Sequence, residues 1–171
     1  MFTGSRTLDN EQDLYDYALR VLMRRAHSVH EMKTKLLRKA DSELLAQVVL
    51  ARLKEGGKLD DSRYAKQFTR TRTEVRKQGK FRIARDLRAR GVPDRHINEA
   101  IAESASTQDE VAIVRQRIER KLRSFRGEIS DNKFASIYRS LLSAGFPADI
   151  IRRELKSLTR EDVPEVEPPE E

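Results

Sequence analysis

Residues 56–65 read GGKLDDSRYA, and this stretch decides the fold. Leu and Val at helical spacing precede it, and Gly56-Gly57 ends that helix as a C-terminal cap. Leu59 then stands just before the N-cap, Asp60 is the N-cap, and Tyr64 is the fourth helical position. Leu59 and Tyr64 form a hydrophobic staple across the cap. Asp61 falls in the first turn, where the helix dipole favours a negative charge. The stretch is a seam between two helical segments. A metal site built on its two carboxylates would need further ligands at set spacing. No D-x-D-x-D-G loop or HExxH pair accompanies them. Asp60 and Asp61 are expected to be structural caps, and no metal is expected.

Before the seam the apolar spacing predicts three helices. Leu14, Tyr17, Ala18, Val21 and Leu22 form one stripe. Ser28-Val29-His30-Glu31 is a capping box ahead of Met32, Leu36 and Leu37. Asp41 or Ser42 caps a third stripe of Leu45, Val48, Val49 and Leu53. After the seam the cycle restarts with Tyr64, Ala65 and Phe68. Gly79 breaks that stripe, and Ile83, Ala84 and Leu87 form the next. Gly91 ends it, Pro93 opens the following first turn, and Ile97, Ala100 and Ile101 complete the set. A third cycle opens on the capping box Thr107-Gln108-Asp109-Glu110. It runs through Val114, Ile118 and Leu122, then Phe134, Ile137, Tyr138 and Leu141 behind a cap at Ser130 or Asp131, then Ile150, Ile151 and Leu155.

These cycles are an internal repeat. Tyr17-Ala18 recurs as Tyr64-Ala65 and as Val111-Ala112, at intervals of 47 residues. LRARGVPDRHI at 87–97 resembles LLSAGFPADII at 141–151. The expected fold is all-α, with three tandem three-helix repeats at 11–57, 58–105 and 106–159. A disordered acidic tail is expected at 160–171. Units this small bury little alone and must stack on their neighbours, so the expected array is elongated and curved. Such a body suits lying along another long object better than enclosing a small molecule.

The 171 residues carry 37% hydrophobic and 37% charged side chains, with a net charge of +7. Residues 63–95 hold 12 Lys/Arg against 3 Asp/Glu, and residues 161–171 hold six acids and no base. The basic body predicts attraction to a polyanion or an acidic protein surface. The absence of Cys excludes disulfides and thiol chemistry and fits a reducing cytoplasm. No secretory leader or membrane span is expected.

Catalytic motifs are missing. There is no GxxxxGK[ST], no GxGxxG and no GxSxG. His27 and His30 straddle a helix start without a third ligand, so they are expected at the surface or in a cap, as is His96. No enzyme and no cofactor is expected. The positive candidate is a basic band of Arg70, Arg72, Arg76, Lys77, Lys80, Arg82, Arg85 and Arg88. Ile83, Ala84 and Leu87 face inward, which turns Arg82, Arg85 and Arg88 towards the outer face. Such a band neutralises phosphates with a steep salt dependence. Few aromatics interleave with it, so base stacking is not indicated.

The chain resembles the RecX family, regulators of the RecA recombinase. Gly57, Leu59-Asp60-Asp61, Arg63-Tyr64 and Phe68 fit the family's G-x-L-D-D-x-x-[FY] motif. Gly79, Arg82-Ile83, Leu87 and Gly91-Val92 follow in order. His27-Ser28, Glu31 and Leu36 resemble its R-x-x-S-x-x-E-L-x-x-K-L pattern. The resemblance covers roughly residues 12–158. Lys80 stands where the family often has Pro, and Met32 stands where it usually has Leu. The resemblance implies a monomeric, non-enzymatic regulator that lodges in the groove of the RecA–DNA filament. It implies inhibition of ATP hydrolysis, strand exchange and co-protease activity, with single- or double-stranded DNA met directly or within the filament. The residues themselves leave open a direct DNA- or RNA-binding helical module without a recombinase partner.

Overall fold

The computed structural model describes residues 7–105, 109–125 and 130–159. The expected acidic tail and Thr107 lie outside the described residues. Among the described residues nine helices follow one another in three groups of three: α1 (Glu11–Arg24), α2 (Val29–Lys39) and α3 (Glu43–Glu55); α4 (Asp61–Glu74), α5 (Lys80–Arg88) and α6 (Asp94–Ala105); α7 (Glu110–Ser124), α8 (Asp131–Ser143) and α9 (Ala148–Thr159). No strand occurs among the described residues. One isolated bridge joins Leu8 to Ala40, with Leu8 N–H donating to the Lys39 carbonyl at 2.8 Å.

Local chemistry starts each helix. Ser28 makes the capping box with Glu31. Ser42, rather than Asp41, caps α3 by accepting from Leu45 N–H at 3.2 Å. The cap of α7 is Asp109, whose carboxylate accepts from Val111 and Ala112 N–H. Ser130 occupies the cap position of α8 without a side-chain hydrogen bond. Pro93 lies one residue ahead of α6, and its carbonyl accepts from His96 and Ile97 N–H.

The chain packs as two compact units. One holds the described residues up to Phe68 together with Asp86–Ala100. The other holds Thr69–Arg85 and the described residues from Ile101 on. Helices α4, α5 and α6 therefore each begin in one unit and end in the other. The first unit centres on Leu14, Ala18, Met32, Leu36, Ala46, Val49 and Leu53. The second centres on Val114, Ile118, Phe134, Ile137, Tyr138, Leu141, Phe146 and Ile151.

One stripe is rotated from its expectation. In α3 the buried face is Ala46, Val49 and Leu53. Leu45 is half-buried, while Val48 is 42% exposed and Leu44 71% exposed. The segment ELLAQVVLARLKE is apolar on nearly every side, so periodicity alone does not choose its inner face.

Candidate functional site

The motif residues meet at a joint in the first unit. Ser28 Oγ accepts from Glu31 N–H at 3.0 Å and donates to the Arg90 carbonyl. The Glu31 carboxylate accepts from Ser28 N–H at 3.1 Å, from Arg25 at 3.1 Å and from the Tyr64 hydroxyl at 3.4 Å. Asp60 accepts from Arg63 N–H at 3.0 Å at the start of its own helix. Asp61 instead reaches across to α2 and accepts from Val29 N–H at 2.9 Å. Gly91 closes the joint: a Cβ there would lie 2.4 Å from the Cβ of His30.

The electrostatics follow from these contacts. Burial would raise the Glu31 carboxyl, but the Arg25 guanidinium and Ser28 N–H outweigh it and hold the group below its usual range. The Arg63 N–H bond lowers Asp60. Burial, helped by the Glu31 charge, raises the Tyr64 phenol. His27 is 5% exposed, not at the surface, and it lines a small cleft with Leu22, Asp60 and Tyr64. Its Nδ1–H donates to the Arg25 carbonyl at 2.9 Å, and burial pushes its pKa down.

The second unit repeats this joint with different residues. Gly79 N–H donates to the Ala144 carbonyl at 2.8 Å, and Phe81 N–H donates to the Gly145 carbonyl at 3.1 Å. A Cβ on Gly79 would lie 2.2 Å from the Gly145 oxygen. Glu110, the first residue of α7, accepts from Lys80 N–H at 3.4 Å and pairs with the Lys80 ammonium at 3.5 Å. Asp61, the first residue of α4, likewise accepts from the first N–H of α2, that of Val29. In each joint an acid opening the next group of helices caps the middle helix of the group before. Lys80, standing where the family often has Pro, is the first residue of α5. Pro is tolerated there because that N–H has no partner within the helix. Here the N–H and the ammonium both meet Glu110.

The eight basic side chains of the expected band have different fates. Arg70 pairs with Glu74 at 3.2 Å and Arg88 with Asp94 at 2.7 Å. Arg72 is half-buried. Lys80 serves the joint. Arg82 does not point outward: it is half-buried, it donates to the Ser143 carbonyl at 3.2 Å, and its Nε is buried without a partner. Arg76, Lys77 and Arg85 are exposed and make no ion pair among the described residues. These three share one unit. Phe81, at 60% exposure, stands on α5 within the band and was not singled out by the spacing. Arg117, also outside the expected set, donates to the carbonyls of Arg76 and Lys77 at 3.2 and 2.9 Å.

Among the described residues no group of three or more His, Asp or Glu is placed to hold a metal ion. No helix among them is long and apolar enough to cross a membrane. Short helices in three sets of three, joined by acid caps and close glycine contacts, define an all-helical tandem-repeat protein. Residues 60–101 match the model of the RecX second three-helix domain, and residues 15–53 match that of the first. The regulatory protein RecX of Halorhodospira halophila is 37% identical over 86% of this chain and 89% of its own. That of Pelodictyon phaeoclathratiforme is 30% identical over 95% of this chain and 99% of its own. The crystal structure of RecX from Lactobacillus salivarius superposes with a TM-score of 0.75 at 23% identity, covering 88% of this chain and 97% of that one. The chain belongs to the RecX family.

Proposed function

We propose that this protein regulates the RecA recombinase by binding the RecA–DNA filament in its helical groove. It slows ATP hydrolysis, strand exchange and co-protease activity, and it acts as a cytoplasmic monomer without catalysis of its own. The observation that carries this reading is similarity to regulatory proteins of the RecX family along nearly the whole chain. The exposed cations of the second unit support it. Arg76, Lys77 and Arg85 present charge that no carboxylate of this chain neutralises among the described residues, which suits an acidic recombinase surface or the phosphates within the filament.

The test is the single-stranded-DNA-dependent ATPase of RecA, followed while this protein is titrated in. The rate should fall with less than one copy per recombinase subunit, because one bound molecule in a groove touches several subunits. An unchanged rate at excess protein would remove the proposal.

A further inference from the structure

We propose that a second basic surface, formed by Arg117, Arg120 and Lys121 on α7 with Ser140 of α8, binds the phosphate backbone of a nucleic-acid strand directly. These side chains line a cleft of about 40 Å³ with Ile137 and Leu141. The three cations sit at i, i+3 and i+4, so they share one helix face within about 6 Å. Arg117 is half-buried, and its guanidinium meets the carbonyls of Arg76 and Lys77 and the face of the Phe146 ring, 5.4 Å away, but no carboxylate among the described residues. Its charge is thus desolvated without a counter-charge, and burial together with neighbouring Arg120 weakens its hold on the proton. The carboxylates on and around α7 are engaged elsewhere: Glu110 with Lys80, Glu119 with Arg123, and Glu154 with Arg115. Half-buried Arg117, beside the like charge of exposed Arg120 and with the nearby carboxylates paired elsewhere, is compensated once an anion supplies the missing charge.

The backbone of Arg76 and Lys77 lies against Arg117, and both residues are exposed, so they add positive charge beside it within the same unit. A phosphodiester fits better than an acidic protein. None of the large exposed apolar side chains lies on α7 or α8, so the anchor residues that centre protein interfaces are missing there. Planar guanidiniums, a lysine and a hydroxyl are the donors that backbone phosphates take.

The experiment measures binding of the full-length protein to a labelled oligothymidylate across a salt series, with no recombinase present. A double variant, Arg120→Glu with Lys121→Glu, should lose affinity. Its slope of log affinity against log salt should be shallower by about 1.4, the value for two phosphate contacts on a single strand. Lys33→Glu with Arg38→Glu carries the same charge change on exposed residues of the first unit, and its slope should stay near that of the parent. Inorganic phosphate should not displace the oligonucleotide at matched ionic strength. If the charge reversal perturbs the thermal melt, Arg120→Gln with Lys121→Gln replaces it and should lose affinity in the same direction. Equal slopes for the two double variants would mean that net charge alone acts, and would overturn the site. Unchanged oligonucleotide binding beside weakened binding to a recombinase filament would also overturn it, assigning the surface to protein. Displacement by inorganic phosphate would reassign it to a small anion.

Discussion

At Asp61 a single carboxylate joins two helices that are 32 residues apart in sequence. Its oxygen satisfies the first N–H of α2, a group with no partner within that helix. Asp61→Ala should lower the unfolding free energy by about 1 kcal/mol, read from urea denaturation. Asp61→Asn keeps an acceptor and should lose less. His27 sets a pH dependence. Burial favours its neutral form and lowers its folded pKa below the unfolded value of about 6.5. Below that pH the unfolded chain binds more protons, so stability is complete above about 6.5 and is lost as the pH falls towards the folded pKa. The urea midpoint should decline between about pH 7 and 5, and His27→Gln should flatten that decline. A midpoint equally steep in both proteins would assign the effect to other groups. Glu31 and Asp60, both lowered, add a loss of the same sign at more acid pH.

At the scale of elements, the helices are short and their joints decide how they pack. Gly145 has φ +91, and a Cβ there would lie 2.3 Å from Arg82 N, while Gly79 opposes it with no room for a side chain. Gly57 also has a positive φ, +64, but a Cβ there would meet nothing within 4 Å. Gly57→Ala should therefore cost only backbone strain, about 1 kcal/mol. Gly145→Ala adds a backbone clash to the strain and should cost about 3 kcal/mol or more, with both values read from the same denaturation series. Similar losses for the two variants would show that the joint yields. Most of the element plan was legible, because capping residues and stripes are local signals. The face of α3 was not: with apolar residues all round, its orientation comes from the neighbours it packs against. Arg82 escaped for the same reason, since its partner, the Ser143 carbonyl, is 61 residues away.

At the scale of the molecule, the charge is divided into cations held by carboxylates or carbonyls and cations left to solvent. Only the second kind can serve a partner without loss of fold. Replacing Arg76, Lys77 and Arg85 together with Glu should leave the melt nearly unchanged, since all three are exposed and outside any ion pair among the described residues. Inhibition of the recombinase ATPase by that variant should need at least about fivefold more protein. A matched reversal at Arg82 would be uninformative, because it would break the joint at Ser143 as well as the surface. Inhibition by the triple variant equal to that of the parent would return these arginines and lysine to the status of a solvated face.

The sequence by itself determined the helical class, the three sets of three, the seam at 56–65 and the family. Each is written in short-range spacing: a cap needs one polar side chain, a stripe needs 3.6-residue periodicity, and a repeat needs only its own recurrence. The tertiary structure alone decided that Asp61 and Glu110 cap helices other than their own, and that the two joints are built alike. It also decided which basic residues remain open, and it brought Arg117 beside Arg76 and Lys77. These depend on contacts between residues 30 to 61 positions apart. Helical periodicity tells which side of a helix faces inward, but not which neighbour waits there.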